Sequence, residues 1–163
     1  DEIANPSAQP ALNDAVAKNG VVTEMARVYT AIKIDHYPGF HGTSGGYSVR
    51  VLSNNTVEFE GRSNVGTIGT KVFDINDSTY NELISLFESS NFFNIDDDIP
   101  MLIDAPENFT TYCNGRKTRT LIDFDAGVPQ SLIQIRMRAE KILNISLYTS
   151  GTLHPAPQAD SSI

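Results

Sequence analysis

Gly42-Thr43-Ser44-Gly45-Gly46 fits G-x-S-x-G, the pattern in which a nucleophilic serine sits on a tight turn between a strand and a helix. Two further groups in the chain have residue types and spacings that can do chemistry. His36 and His41 flank a glycine-rich loop, and imidazoles joined by a carboxylate can hold zinc or another transition metal. Asp96, Asp97 and Asp98, with Asp104, form the densest carboxylate group, and hard cations such as calcium take several oxygens from one loop. A fourth set, Tyr37, Phe40, Tyr47 and Phe109, can make an aromatic surface suited to a protein partner.

Each reading meets a structural one. Residues after Ser44 alternate as a strand does, so the helix that a nucleophile elbow requires is missing from the pattern. A protease of the chymotrypsin type needs its histidine and aspartate far upstream, and only a short segment precedes Ser44. The loop can still meet a ligand through backbone N–H groups. The aspartates lack D-x-D-x-D-G spacing, so a solvated acidic loop competes with calcium at Asp96, Asp98 and Asp104. The aromatic rings equally suit closure of the core. His154 stands alone near the C-terminus. No complete catalytic constellation is spelled out, so no catalytic residue is assigned. The candidate ligand- or partner-binding set is Tyr37, Phe40, His41, Ser44 and Tyr47.

The totals narrow the classes. A chain of 163 residues with 40% hydrophobic and 20% charged residues reads as one globular domain with a sizeable core. A net charge of −8 disfavours nucleic acid, which wants a basic face, and anionic membrane surfaces. Cys113 is the only cysteine, so an internal disulfide and a cysteine-rich zinc site within the chain are excluded. As a small residue in a period-2 run it reads as a buried apolar group rather than a catalytic thiol. No apolar run has the length of a membrane span. N-x-S/T occurs at Asn54, Asn76, Asn108 and Asn144, which matters only in a eukaryotic secretory pathway. The first residue, Asp1, fits a removed signal peptide or a trimmed chain equally well.

The elements that must position these groups follow from periodicity. Strands are expected at Tyr29–His36, Tyr47–Leu52, Thr56–Arg62 and near Thr67–Phe73, with Val49, Val51, Val57, Phe59, Val65, Ile68 and Val72 as the apolar set. Ser53-Asn54-Asn55 is turn chemistry, and Asn114-Gly115 is the strongest hairpin signal, joining Asn108–Cys113 to Lys117–Phe124. One helix is expected at Ser78–Ser90, capped by Asp77 or Ser78, with Tyr80, Leu83, Ile84 and Phe87 on one stripe. A second is expected at Pro129–Ile145, its apolar side including Met137 while Arg136 points elsewhere. Residues 1–28 read as an arm with a short helix at Ala11–Lys18, 29–146 as a single α+β domain, and 147–163 as a proline-containing tail.

Certain words of the sequence, in order and spacing, resemble a known family. They are Gly42-Thr43-Ser44-Gly45-Gly46-Tyr47-Ser48-Val49, Asn55 to Gly61, Leu83-Ile84-Ser85-Leu86-Phe87, Asn91-Phe92-Phe93, Ile103-Asp104-Ala105-Pro106 and Asn114-Gly115-Arg116-Lys117. Between His36 and Ile145 the chain resembles an uncharacterised family of bacterial domains of unknown function, often found in exported proteins. Its members carry a Cys-x-Gly-x-Cys-Pro-x-Tyr loop. Here Phe40 and Ser44 stand at the cysteine positions, Gly45 at the proline, and Gly42 and Tyr47 are kept. The resemblance implies a fold and a periplasmic or exported location, and no reaction.

Together these readings predict an α+β protein. An antiparallel sheet of about six strands, in the order β-β-β-β-α-β-β-α, carries two main helices on one face. The expected function is a non-enzymatic binding module of the bacterial cell envelope, with an unknown protein or small-molecule partner. The alternative is a small hydrolase or metal-dependent enzyme using the glycine-rich loop and the histidines.

Overall fold

Alternation along the strands decides the architecture. A computed structural model describes residues 27–40, 42–98, 102, 104–124 and 129–151. The expected arm to residue 26, its helix, His41, His154 and the tail from 152 lie outside these residues. Six strands form one antiparallel sheet: β1 (Thr30–Tyr37), β2 (Gly46–Leu52), β3 (Thr56–Ser63), β4 (Gly69–Asp74), β5 (Glu107–Cys113) and β6 (Thr118–Asp123). Their spatial order is β4-β3-β2-β1-β5-β6. The chain therefore meanders through four strands, leaves over the sheet as a helix, and returns so that β5 pairs antiparallel with β1.

In register, Phe73, Val57, Val51, Ile32, Tyr112 and Arg119 form one row across the sheet. Phe59, Val49, Ile34, Thr110 and Leu121 form the next, and Gly61, Tyr47, His36, Asn108 and Asp123 the third. All three rows point to one face, because side chains two residues apart share a face. Val57, Val51, Ile34 and Phe59 are fully buried there.

That face is covered by α1 (Asp77–Ser89) and α2 (Gln130–Ile142). Phe87 of α1 stacks on Tyr112 at 4.9 Å. Arg136 of α2 reaches Asp123 at 3.0 Å. Tyr112 and Asp123 look the same way, so both helices lie on one side of the sheet, as expected. A short helix, α3 (Ser146–Thr149), follows where the tail was expected. Its Tyr148 stacks on Phe59 at 5.1 Å and on Phe73 at 5.6 Å, closing the β3–β4 side of the core.

Several local expectations are corrected. Asn76 caps α1, accepting from the Thr79 N–H at 2.8 Å, in place of Asp77 or Ser78. On α2 the buried positions are Leu132, Ile135, Arg136 and Ala139, whereas Met137 is exposed. Those spacings trace one helical stripe, and Arg136 falls on it. The helix stops at Asn144, which takes φ 55°. The Asn144 N–H donates to Lys141 O and that of Ile145 to Glu140 O, a left-handed C-terminal cap that ends the helix three residues before its expected limit. Val72 and Ile68, expected in the apolar set, are both exposed: Val72 sits on the edge strand β4 and points away from the helices, and Ile68 lies in the loop just before that strand.

The tight loop between β3 and β4 depends on Gly61. A Cβ there would stand 1.8 Å from the Thr67 carbonyl oxygen. Thr67 in turn donates its N–H to Tyr148 O at 2.9 Å, so this loop also anchors α3.

Candidate functional site

The face opposite the helices is built from the alternate residues: Lys33, Asp35 and Tyr37 of β1, Ser48 and Arg50 of β2, Glu58, Glu60 and Arg62 of β3, and Phe109 and Thr111 of β5. No described helix covers it. Tyr37 and Phe109 meet edge to face, with ring centroids 5.6 Å apart at 90°. Arg62 places its guanidinium 4.8 Å from the Tyr37 centroid. To get there it crosses β2, donating to the carbonyls of Tyr47 at 3.0 Å and His36 at 3.3 Å. The crossing is open because β2 presents only Gly46 and Ser48 at this end.

Around the rings the polar groups are organised. Asp35 accepts an ion pair from Lys33 at 3.0 Å and faces Arg62 at 3.7 Å. Thr111 and Thr120 join their hydroxyls at 2.8 Å. Tyr37, Phe109, Asp35, Glu107 and the two threonines line an open depression of about 430 Å³. Tyr37 is 45% exposed. Exposed aromatic rings with a polar rim are the usual mark of a binding surface.

The sequence-predicted set is divided by this geometry. Tyr37 lies on the open face, and Phe40, three residues on, is 85% exposed. Tyr47 points to the covered face, where its hydroxyl donates to Glu140 Oε1 at 2.7 Å. The aromatic patch on the open face therefore consists of Tyr37 and Phe109, with Phe40 at its margin and without Tyr47. Ser44 Oγ is buried and takes no hydrogen bond from a described residue. Gly45 and Gly46 lead directly into β2, so a strand and not a helix follows the serine. The glycine loop is held from below, since a Cβ on Gly39 would meet the Asp104 carbonyl at 2.6 Å.

His36 also faces the helices, 5.3 Å from the Tyr47 ring. It belongs to a buried polar layer that the sequence reading missed. Asn108 donates to Asp123 Oδ1 at 2.9 Å, and Arg136 clasps Asp123 through two bonds of 3.0 and 3.1 Å. Asn108 and Asp123 are 0% exposed, so the N-x-T at Asn108 is sealed in the fold. His36, Asn108, Asp123 and Arg136 line neither the Tyr37–Phe109 depression nor the cleft between α1 and α2. The signal was present: Asp123 shares the inward phase of Leu121, and Arg136 lies one turn beyond Leu132.

The acidic residues stand elsewhere. Asp97 pairs with Arg119 at 3.5 Å, two rows away from His36 along the sheet. The Asp98 N–H donates to Asp96 Oδ1 at 3.1 Å. Among the described residues no three His, Cys, Asp or Glu side chains gather where they could hold a metal ion. Cys113 is half-buried at the end of β5. Near it, burial and a hydrogen bond to Glu88 push the Tyr112 pKa far above its ordinary value. Burial, with Tyr29 next in effect, raises Tyr80 to about 12.

Residues 18–143 match the family described as a domain of unknown function, DUF6438. The chain belongs to that family. The DUF6438 match takes in all six strands, α1 and α2, and ends before α3. Both the covered polar layer and the Tyr37–Phe109 pair thus fall inside the DUF6438 domain. No curated protein matches the chain. Among the described residues no helix is long and apolar enough to cross a membrane.

Proposed function

We propose that this domain is a non-enzymatic binding module, and that it recognises its partner with the uncovered sheet face around Tyr37 and Phe109, extended by Phe40. The observation that carries this reading is the pair of rings held edge to face on a surface that no described helix shields, with Arg62 reaching across β2 to buttress Tyr37. Rigid aromatics on a scaffold strand give contact area at low entropic cost, which is what recognition requires. The polar groups most capable of chemistry, His36 and Asp123, are instead committed to the interior, beneath α2.

The resemblance to exported bacterial domains supports placing the module in the cell envelope. A reporter active only outside the cytoplasm, fused to the protein as its native gene encodes it with anything that precedes Asp1, checks that placement. Reporter silence with intact protein rejects it.

The binding reading is tested by capture from an envelope fraction with immobilised wild type and with a Tyr37→Ala/Phe40→Ala variant. Loss of the two anchors is expected to lower capture by about tenfold or more, with the melting temperature nearly unchanged. Equal capture by both proteins removes this face from consideration.

A further inference from the structure

We infer that the Tyr37–Phe109 depression takes an uncharged saccharide chain; this rests on the binding reading above and names its ligand class. Four observations converge. First, β1 and β5 are interior strands, so their backbone groups are already paired on both sides. A ligand lying on this face cannot extend the sheet and must be read by side chains alone, which disfavours an extended peptide that relies on main-chain bonds.

Second, the side chains present are those that suit a ring of alternating C–H and O–H groups. Tyr37, 45% exposed, offers an aromatic surface to the apolar C–H side of a pyranose. Asp35 and Glu107 offer carboxylate acceptors, and the Thr111–Thr120 hydroxyl pair offers donors and acceptors at the spacing of a hydrogen-bonded pair, 2.8 Å.

Third, the depression has no excess of cations to hold an anionic chain. Its lining carries one cation, Lys33, and two anions, Asp35 and Glu107; Lys33 pairs with Asp35 at 3.0 Å, and Arg62, beside the lining, approaches Asp35 at 3.7 Å. In a chain of net charge −8, this disfavours an anionic saccharide and leaves an uncharged one. Fourth, the depression is open and of about 430 Å³, room for a short stretch of sugar units lying across the strands rather than for an enclosed cofactor.

The test is a titration of the whole chain, with ring resonances of Tyr37 and Phe109 observed by NMR. The probes are short neutral oligosaccharides: β-1,4-linked glucose, β-1,4-linked N-acetylglucosamine and α-1,4-linked glucose. At least one is expected to shift both rings with a dissociation constant of about 1 mM or tighter. Tyr37→Ala should weaken it tenfold or more, and Tyr37→Phe, which keeps the ring, should retain it. Two results overturn the inference: no shift at either ring with any probe at about 10 mM, or tighter binding of a sulfated saccharide at the same place that vanishes with added salt. Capture of a protein through Tyr37 and Phe40 without any saccharide response would sink the ligand class and leave the binding surface standing. Loss of both responses would remove the surface itself.

Discussion

Along β1 the chain alternates between two fates. Ile32, Ile34 and His36 go under the helices, while Lys33, Asp35 and Tyr37 look outward from the same strand. On the covered side the polar groups are bound into the fold: Tyr47 to Glu140, Asn108 to Asp123, Asp123 to Arg136. On the open side ion pairs also form, but Lys33 is 41% exposed and can exchange its partner for water or a ligand. The physical cause is solvent. A buried charge without its partner pays a desolvation cost of several kcal/mol, so interior polar groups are tied to the architecture. The same groups at a wet surface are nearly neutral in stability and are available for recognition.

Removing one half of the interior clasp should separate the two faces most sharply. Arg136→Ala strips the guanidinium from a carboxylate that is 0% exposed, and is expected to cost about 3–5 kcal/mol in a urea titration. The Asp123→Leu/Arg136→Met double variant should cost less than that single change. A single-variant loss below about 1 kcal/mol would show that the clasp is not desolvated as described.

A matched pair of valines isolates coverage from residue type. Val57 is 0% exposed and Val72 is 61% exposed, on neighbouring strands. Val57→Thr buries a hydroxyl and should cost about 1–3 kcal/mol. Val72→Thr should stay within about 0.5 kcal/mol. Equal costs would mean that something covers β4 as well.

The third test uses pH at the tyrosine end of the covered face. Tyr80 has an ordinary pKa of 10.0 and is raised to about 12 in the folded protein by burial and Tyr29. Between those values the unfolded chain holds fewer protons than the folded one. Stability is therefore full below pH 10 and falls as the pH rises towards 12. Tyr112, raised in the same sense, adds to the fall. Tyr80→Phe should flatten the decline in urea midpoint over this window. An unchanged slope would remove Tyr80 as its source. The smallest effect belongs to the open face: Tyr37→Ala should change stability by about 0.5 kcal/mol or less while altering binding.

Much of this was legible in the residues. Asn114 and Gly115 placed the second hairpin correctly: Gly115 takes φ 90°, and the Asn114 carboxamide accepts from Lys117 N–H at 2.8 Å. Asn55, at φ 71°, closes the β2–β3 turn as its type allows. Leu83 and Phe87 are buried on the expected stripe of α1. The site was less legible. Tyr37 and Tyr47 look alike in sequence, each beside a glycine-rich loop, and they end on opposite faces. Their phase depends on the register of β1 against β2, where His36 pairs with Tyr47 and Tyr37 is carried to the other side.

Local rules act within a few residues, and here they settled what the amino-acid order can settle alone: the turns, the amphipathic stripe of α1, the period-2 strands and the α+β class. Pairings between distant segments were decided only on folding. The return of β5 to the free side of β1 brought Phe109 to Tyr37, and the docking of α2 brought Arg136 to Asp123. No short-range preference encodes either meeting, because both arise from burying one apolar face of the sheet under helices that come from distant parts of the chain.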